Sequence, residues 1–220
     1  SEKHFLLPLP ILSITGDGDR IYGASAQADN LFGLNQQLKV TLRRKAYHQA
    51  DVEREDRLQA YYHLPRVADS MFDLGIAFSL NRALLDEERG TQGGQYERRV
   101  TTNRLSISRW LRNAGPSHGW RISAAIQQQA YDHELLSGDP GLFFDVGIGS
   151  LITRIEKRTV VETGHQRTGG HYGYELKKAA RRFRSDRQYD EHFVFYRNYS
   201  NLGQPGVADF HSYLRAGVCT

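Results

Sequence analysis

Residues 71–80 read M-F-D-L-G-I-A-F-S-L. Taken alternately, Phe72, Leu74, Ile76, Phe78 and Leu80 fall on one side, and Asp73, Gly75, Ala77 and Ser79 on the other. Side chains alternate across a strand with period 2, so this is a ribbon with one oily face and one small, polar face. The pattern recurs. Leu38, Val40 and Leu42 oppose Gln37, Lys39, Thr41 and Arg43, and Leu58, Ala60, Tyr62 and Leu64 oppose Gln59, Tyr61 and His63. Trp120, Ile122, Ala124 and Ile126 oppose Arg121, Ser123, Ala125 and Gln127, and Phe144, Val146, Ile148 and Ile152 oppose Asp145, Gly147, Gly149 and Thr153. A transmembrane barrel repeats this on every strand, because lipid lies outside and water or polar side chains inside.

About ten strands follow, at 20–28, 36–47, 55–64, 71–80, 97–111, 119–131, about 144–153, 170–182, 188–199 and 207–218. Pro65 closes the third, where a ladder can end. Soluble strands average only ~5–6 residues, and most of these are longer. The expected fold is therefore all-β: an antiparallel, up-and-down transmembrane β-barrel of about 10 strands, within 8–12. Residues 1–19 are expected to be an N-terminal entry segment or plug, and 20–220 the barrel. A charged loop is expected at 86–96. Lys178 and Arg109 fall on oily faces, where a midplane cation costs ~2–4 kcal/mol. Either they reach the headgroup level or that side meets a partner. A soluble β-sandwich binding module shares the alternation and is kept as an alternative.

Composition narrows the choice. Hydrophobic residues make up 39% of the 220 residues, mean hydropathy is -0.59, and no segment approaches the ~20 apolar residues a membrane helix needs. Barrel strands need only ~10 alternating residues each. Cys219 is the single cysteine, so an internal disulfide and a thiolate metal cluster are both excluded. No signal-peptide pattern opens the chain; an exported protein of this sequence is expected to be the mature form. The net charge of +4 suits contact with anionic lipid phosphates or nucleic acid without choosing between them.

The loop Asp29-Asn30-Leu31-Phe32-Gly33 carries a D-N-x-x-G motif between the first two expected barrel strands. With Leu64-Pro65 before the fourth strand, R-L-S-I-S-R-W from Arg104 and G-W-R-I-S from Gly119, the chain resembles the superfamily of outer-membrane barrel-assembly factors and two-partner-secretion transporters. Asp29, Asn30 and Gly33 are the loop-motif residues, and the resemblance spans roughly 20–199. Members usually have sixteen strands behind periplasmic modules, and a V-R-G-F/Y motif on a later loop. That motif is absent, and what remains is similar to short members without the periplasmic modules. The resemblance implies a bacterial outer-membrane protein acting in membrane organisation or in client insertion or transport, by way of a weak seam or a distorted bilayer. A barrel this small would have a lumen largely filled by side chains, so a larger assembly would need association with another copy, such as a dimer.

Other constellations bear on chemistry. Lys177, Lys178, Arg181, Arg182 and Arg184 form the densest positive cluster, which fits lipopolysaccharide phosphates or acidic headgroups at ~1 kcal/mol per nearby charge, or a solvated strand end. Ser200, in R-N-Y-S-N, is similar to the H-x-S-N stretch of small outer-membrane lipid A deacylases and phospholipases. Asn198 stands where that stretch has its histidine, and His192 and His211 are six or more residues away. A hydrolase using Ser200 is the alternative to a non-enzymatic barrel. The histidines lack HxxxH or HxH spacing, so neither metal nor cofactor is expected. The aromatics share a face with apolar rather than basic residues, so no nucleic-acid stacking platform is expected. Tyrosines gather near strand ends, as an interfacial girdle or exposed hairpins would have them.

Overall fold

The computed structural model describes all residues except 1–4, 17, 32–34, 48–51, 68–70, 90–91, 112–117, 139–143, 164–165 and 202–208. It is all-β. The strands are β1 (Phe5–Ile14), β2 (Arg20–Leu31), β3 (Gln36–Ala46), β4 (Val52–Leu64), β5 (Phe72–Arg89), β6 (Gln92–Leu111), β7 (His118–Gly138), β8 (Val146–Thr159), β9 (Val161–Thr163), β10 (Gln166–Ala179), β11 (Tyr189–Asn201) and β12 (Asp209–Cys219). Eleven of them form one antiparallel sheet in chain order, β1 to β8 and then β10, β11 and β12, while the short β9 pairs with β10 alone. A 3-10 turn spans Arg181–Phe183. No described ladder joins β1 to β12.

The expectation for residues 1–19 needs correcting. Phe5–Ile14 is a strand, paired with β2 from Phe5↔Asp29 to Ile14↔Arg20. The Gly-Asp-Gly-Asp stretch is its hairpin turn: the Gly18 N–H donates to the Thr15 carbonyl (3.0 Å) and the Asp19 N–H to Thr15 Oγ1 (3.2 Å). Pro8 and Pro10 hid the strand. Proline cannot donate to a ladder, but β1 has one described neighbour, and prolines two apart both fit on its unpaired side. The expected charged loop at 86–96 is also largely strand, since β5 runs to Arg89 and β6 starts at Gln92. Pro65 does follow the last residue of β4.

The residues group into two compact units. Unit 1 comprises Ser1–Pro65, Gly75–Leu105 and Gln127–Ile148; unit 2 comprises Arg66–Leu74, Ser106–Ile126 and Gly149–Thr220. Neither has an ordinary oily core. Among the described residues only seven apolar ones are buried, and three are alanines (Ala83, Ala125 and Ala179). Asp19, Gln36, Ser108, Ser150, Glu156 and Ser185 are buried alongside them, while Ile76, Ile107, Trp120, Ile122, Ile126 and Val194 are exposed. In soluble domains the large aliphatic side chains are the ones most often inside.

Candidate functional site

The sequence of β8, V-G-I-G-S-L-I-T-R-I-E-K-R-T, places Ser150, Ile152, Arg154 and Glu156 on one face by alternation. That face is the crowded one in unit 2. Ser150 is 0% exposed, Ile152 5% and Glu156 8%, while Ile155 on the opposite face is 42% exposed. The expected facing of this strand was therefore inverted: Ile148 and Ile152 lie on the crowded side, and Thr153 on the open one.

Glu156 is the centre of a charge network. Arg154, two residues back on the same face, approaches it at 2.7 Å, His171 of β10 at 3.1 Å and Arg121 of β7 at 3.6 Å. Arg154 also faces Glu175 at 3.7 Å, its register partner on β10. Arg121 donates to Ser108 Oγ at 2.6 Å. Two guanidinium groups and a histidine thus enclose two carboxylates, and a buried charge requires such pairing.

Gly173 makes room for the rest. A Cβ there would lie 2.5 Å from the Ile155 carbonyl oxygen and 2.7 Å from the ring of Phe195. Without one, the Phe195 ring lies over Gly173, its register partner on β10. Arg154 sits 4.3 Å above it, and His171 meets it edge-on at 5.2 Å. Glu156, Glu175, Arg121, Arg154 and His171 are each held in an ion pair, so the network ties β7, β8 and β10 together.

On its open face, unit 2 carries a row of aromatic and basic side chains. Arg109 lies over Phe72 (5.2 Å), Lys157 over Trp120 (5.5 Å), and Trp120 meets Tyr172 edge-on (6.2 Å). Tyr172 pairs in register with Tyr196, which is exposed. In unit 1 the open face carries a rail of ion pairs next to Leu42, Leu58 and Leu80. Arg44 forks onto Asp56, Arg54 reaches the same carboxylate at 3.1 Å, and Arg82 and Arg99 flank Glu97 at 4.0 and 3.8 Å. On the polar face of unit 1, Glu55 meets Arg57 at 2.6 Å and accepts from the Tyr47 hydroxyl at 2.9 Å. Burial, and then that carboxylate, push the Tyr47 phenol above its ordinary pKa.

The expected site residues distribute as follows. Phe72, Leu74, Ile76, Phe78 and Leu80 share one face of β5, with Phe72 and Ile76 exposed and Gly75 buried on the other. The basic cluster does not act as one patch. Lys177 and Lys178 alternate to opposite faces of β10, Lys177 pairing with Glu191 at 3.4 Å and Lys178 with Asp190 at 2.8 Å. Arg181, Arg182 and Arg184 are exposed on the following turn, where Arg184 takes a left-handed conformation (φ 61°) and buried Ser185 donates to the Arg187 carbonyl at 2.6 Å.

In the loop motif, Asn30 is left-handed (φ 56°) at a register shift in the β2–β3 ladder, and its Oδ1 accepts the Asn35 N–H at 2.9 Å. Asp29 accepts from Gln27 at 3.0 Å. Asparagine suits both tasks, so turn geometry accounts for its presence. Gly33 lies outside the described residues. Ser200 is paired in register with Phe210, and His211 with Tyr199. His192 bonds the Tyr174 hydroxyl at 2.6 Å, eight positions along β11, or about 26 Å at the strand rise. No base is in place for Ser200 among the described residues.

Sequence reasoning missed the Glu156 network. Its trace was the alternating R-I-E-K-R of β8 beside H-Y-G-Y-E-L-K of β10, legible only with the register that pairs them. A scan of protein-family models gives no match to this chain, and a search of curated proteins gives none either.

Proposed function

We propose that this chain is a membrane-embedded β-sheet of the barrel type in a bacterial outer membrane, non-enzymatic, with lipid on its open apolar face and polar side chains on its crowded face. One observation carries the reading: the chain buries Glu156, paired to half-buried Arg154 and His171, while leaving Ile76, Trp120, Ile122 and Val194 exposed. In water that distribution forgoes the main favourable term in folding; in a bilayer it is the expected one. Along β5 the open face is apolar from Phe72 to Leu80 and turns charged at Arg82. The eight steps from Phe72 to Leu80 span about 26 Å of strand, or about 20 Å of membrane thickness at a tilt of about 40°, and charged Arg82 lies about 5 Å further along that normal. The aromatic and basic row suits a headgroup level.

Within this reading, membrane organisation or client insertion and transport is the role implied by the family resemblance, and Asp29 and Asn30 support it only as a turn. The filled crowded face of unit 2 favours organisation over a wide conduit. Flotation with vesicles and gel migration with and without boiling test the proposal. The expected result is a chain that floats with lipid and migrates faster unboiled. A chain that stays monomeric in buffer without detergent overturns it.

A further inference from the structure

We propose that Arg109 and the groove beside it form a binding site for an anionic phospholipid, whose phosphate meets the guanidinium and whose acyl chain enters the groove. The inference rests on the membrane reading above and names a partner for one place in it. Arg109 stands on the open face of β6, two residues before the strand ends at Leu111. It borders a cavity of about 170 Å³ lined by Phe72, Ile107, Ile122 and Ala124.

Most of the other open-face cations already described have a carboxylate. Lys178 has Asp190, Arg44 and Arg54 have Asp56, and Arg82 and Arg99 have Glu97, while Lys157 lies over the Trp120 ring as Arg109 lies over that of Phe72. Arg109 has no carboxylate within 4.0 Å among the described residues. Its Nη2 reaches the Met71 sulfur at 3.6 Å, its guanidinium lies over the Phe72 ring at 5.2 Å, and its Nε is shut off from solvent with no hydrogen-bond partner. A cation held against apolar surface needs a counter-charge, which here has to come from outside the chain. A guanidinium fork fits a phosphate. The nearby strand end sets the depth of a headgroup, and the groove takes the chain attached to it.

The test uses the full chain with Trp110→Phe, leaving Trp120 as the single tryptophan. It is placed in phosphatidylcholine vesicles containing brominated phosphatidylglycerol or, separately, brominated phosphatidylcholine at equal mole fraction. Quenching of Trp120 is expected to report about fivefold preference for phosphatidylglycerol, from one near-surface charge. Arg109→Gln should bring the ratio to about one, and Arg109→Lys should keep part of it. Equal quenching by both lipids with Arg109 intact overturns the site and leaves the membrane reading standing; absence of quenching by either lipid overturns both. A doubled mass in detergent that Arg109→Gln returns to monomer assigns the groove to a second copy and also overturns the site.

Discussion

On the polar face of unit 1, Glu55 meets Arg57 at 2.6 Å and Arg43 at 4.0 Å, and the same face holds an open cavity of about 520 Å³ lined by Lys39, Gln59, Tyr61 and Arg104. On the corresponding face of unit 2, Glu156 is 8% exposed among Arg121, Arg154 and His171, with Phe195 laid across the gap at Gly173. Both faces are polar by the same period-2 pattern. The two carboxylates are covered alike, with side chains 12% and 10% exposed, so the faces differ in what lies over the pairs: an open cavity in unit 1 and the Phe195 ring in unit 2. An exposed pair contributes little, while breaking a buried one leaves a charge without compensation.

The contrast can be broken by mutation, with stability read from urea unfolding in lipid. Glu156→Ala is expected to cost about 2–4 kcal/mol, because half-buried Arg121 and His171 lose their carboxylate and Arg154 keeps only Glu175. Should it cost no more than an exposed pair, the difference between the units disappears. Next comes the lipid-facing claim: Ile76→Arg is expected to cost about 2–4 kcal/mol, and Ala77→Arg, on the polar face, clearly less. Gly173→Ala is expected to cost about 1–3 kcal/mol, since the new methyl meets both the Ile155 carbonyl and the Phe195 ring. The smallest effect is expected in unit 1, where Asp56→Ala removes a partly exposed carboxylate from Arg44 and should cost about 0–1 kcal/mol.

What the sequence disclosed follows the range of each signal. Strand alternation is local, so the apolar stretches of β3 to β7 could be read directly, including Phe72 and Ile76 on the open side of β5, while the charged end of β5 and start of β6 could not. The strand β1 was lost because proline argues against a strand everywhere except at an edge, and edge position is a property of the whole sheet. In β8 apolar residues occupy both faces, Ile148 and Ile152 against Leu151 and Ile155, so hydropathy alone cannot choose. The choice is made by Glu156 and Arg154 finding partners on β7 and β10. Lys177 and Lys178 looked like one positive patch for the same reason: the acids that neutralise them, Glu191 and Asp190, belong to β11 and enter only through its register.

Nitroxide side chains placed singly from position 72 to 80, in the chain with Cys219→Ser reconstituted in vesicles, test the central claim most directly. The account predicts that 72, 74, 76, 78 and 80 collide readily with oxygen and poorly with a water-soluble nickel reagent, with the intervening positions lacking that signature. Free access of the nickel reagent to 74, 76 and 78, or a profile without period 2, would contradict it.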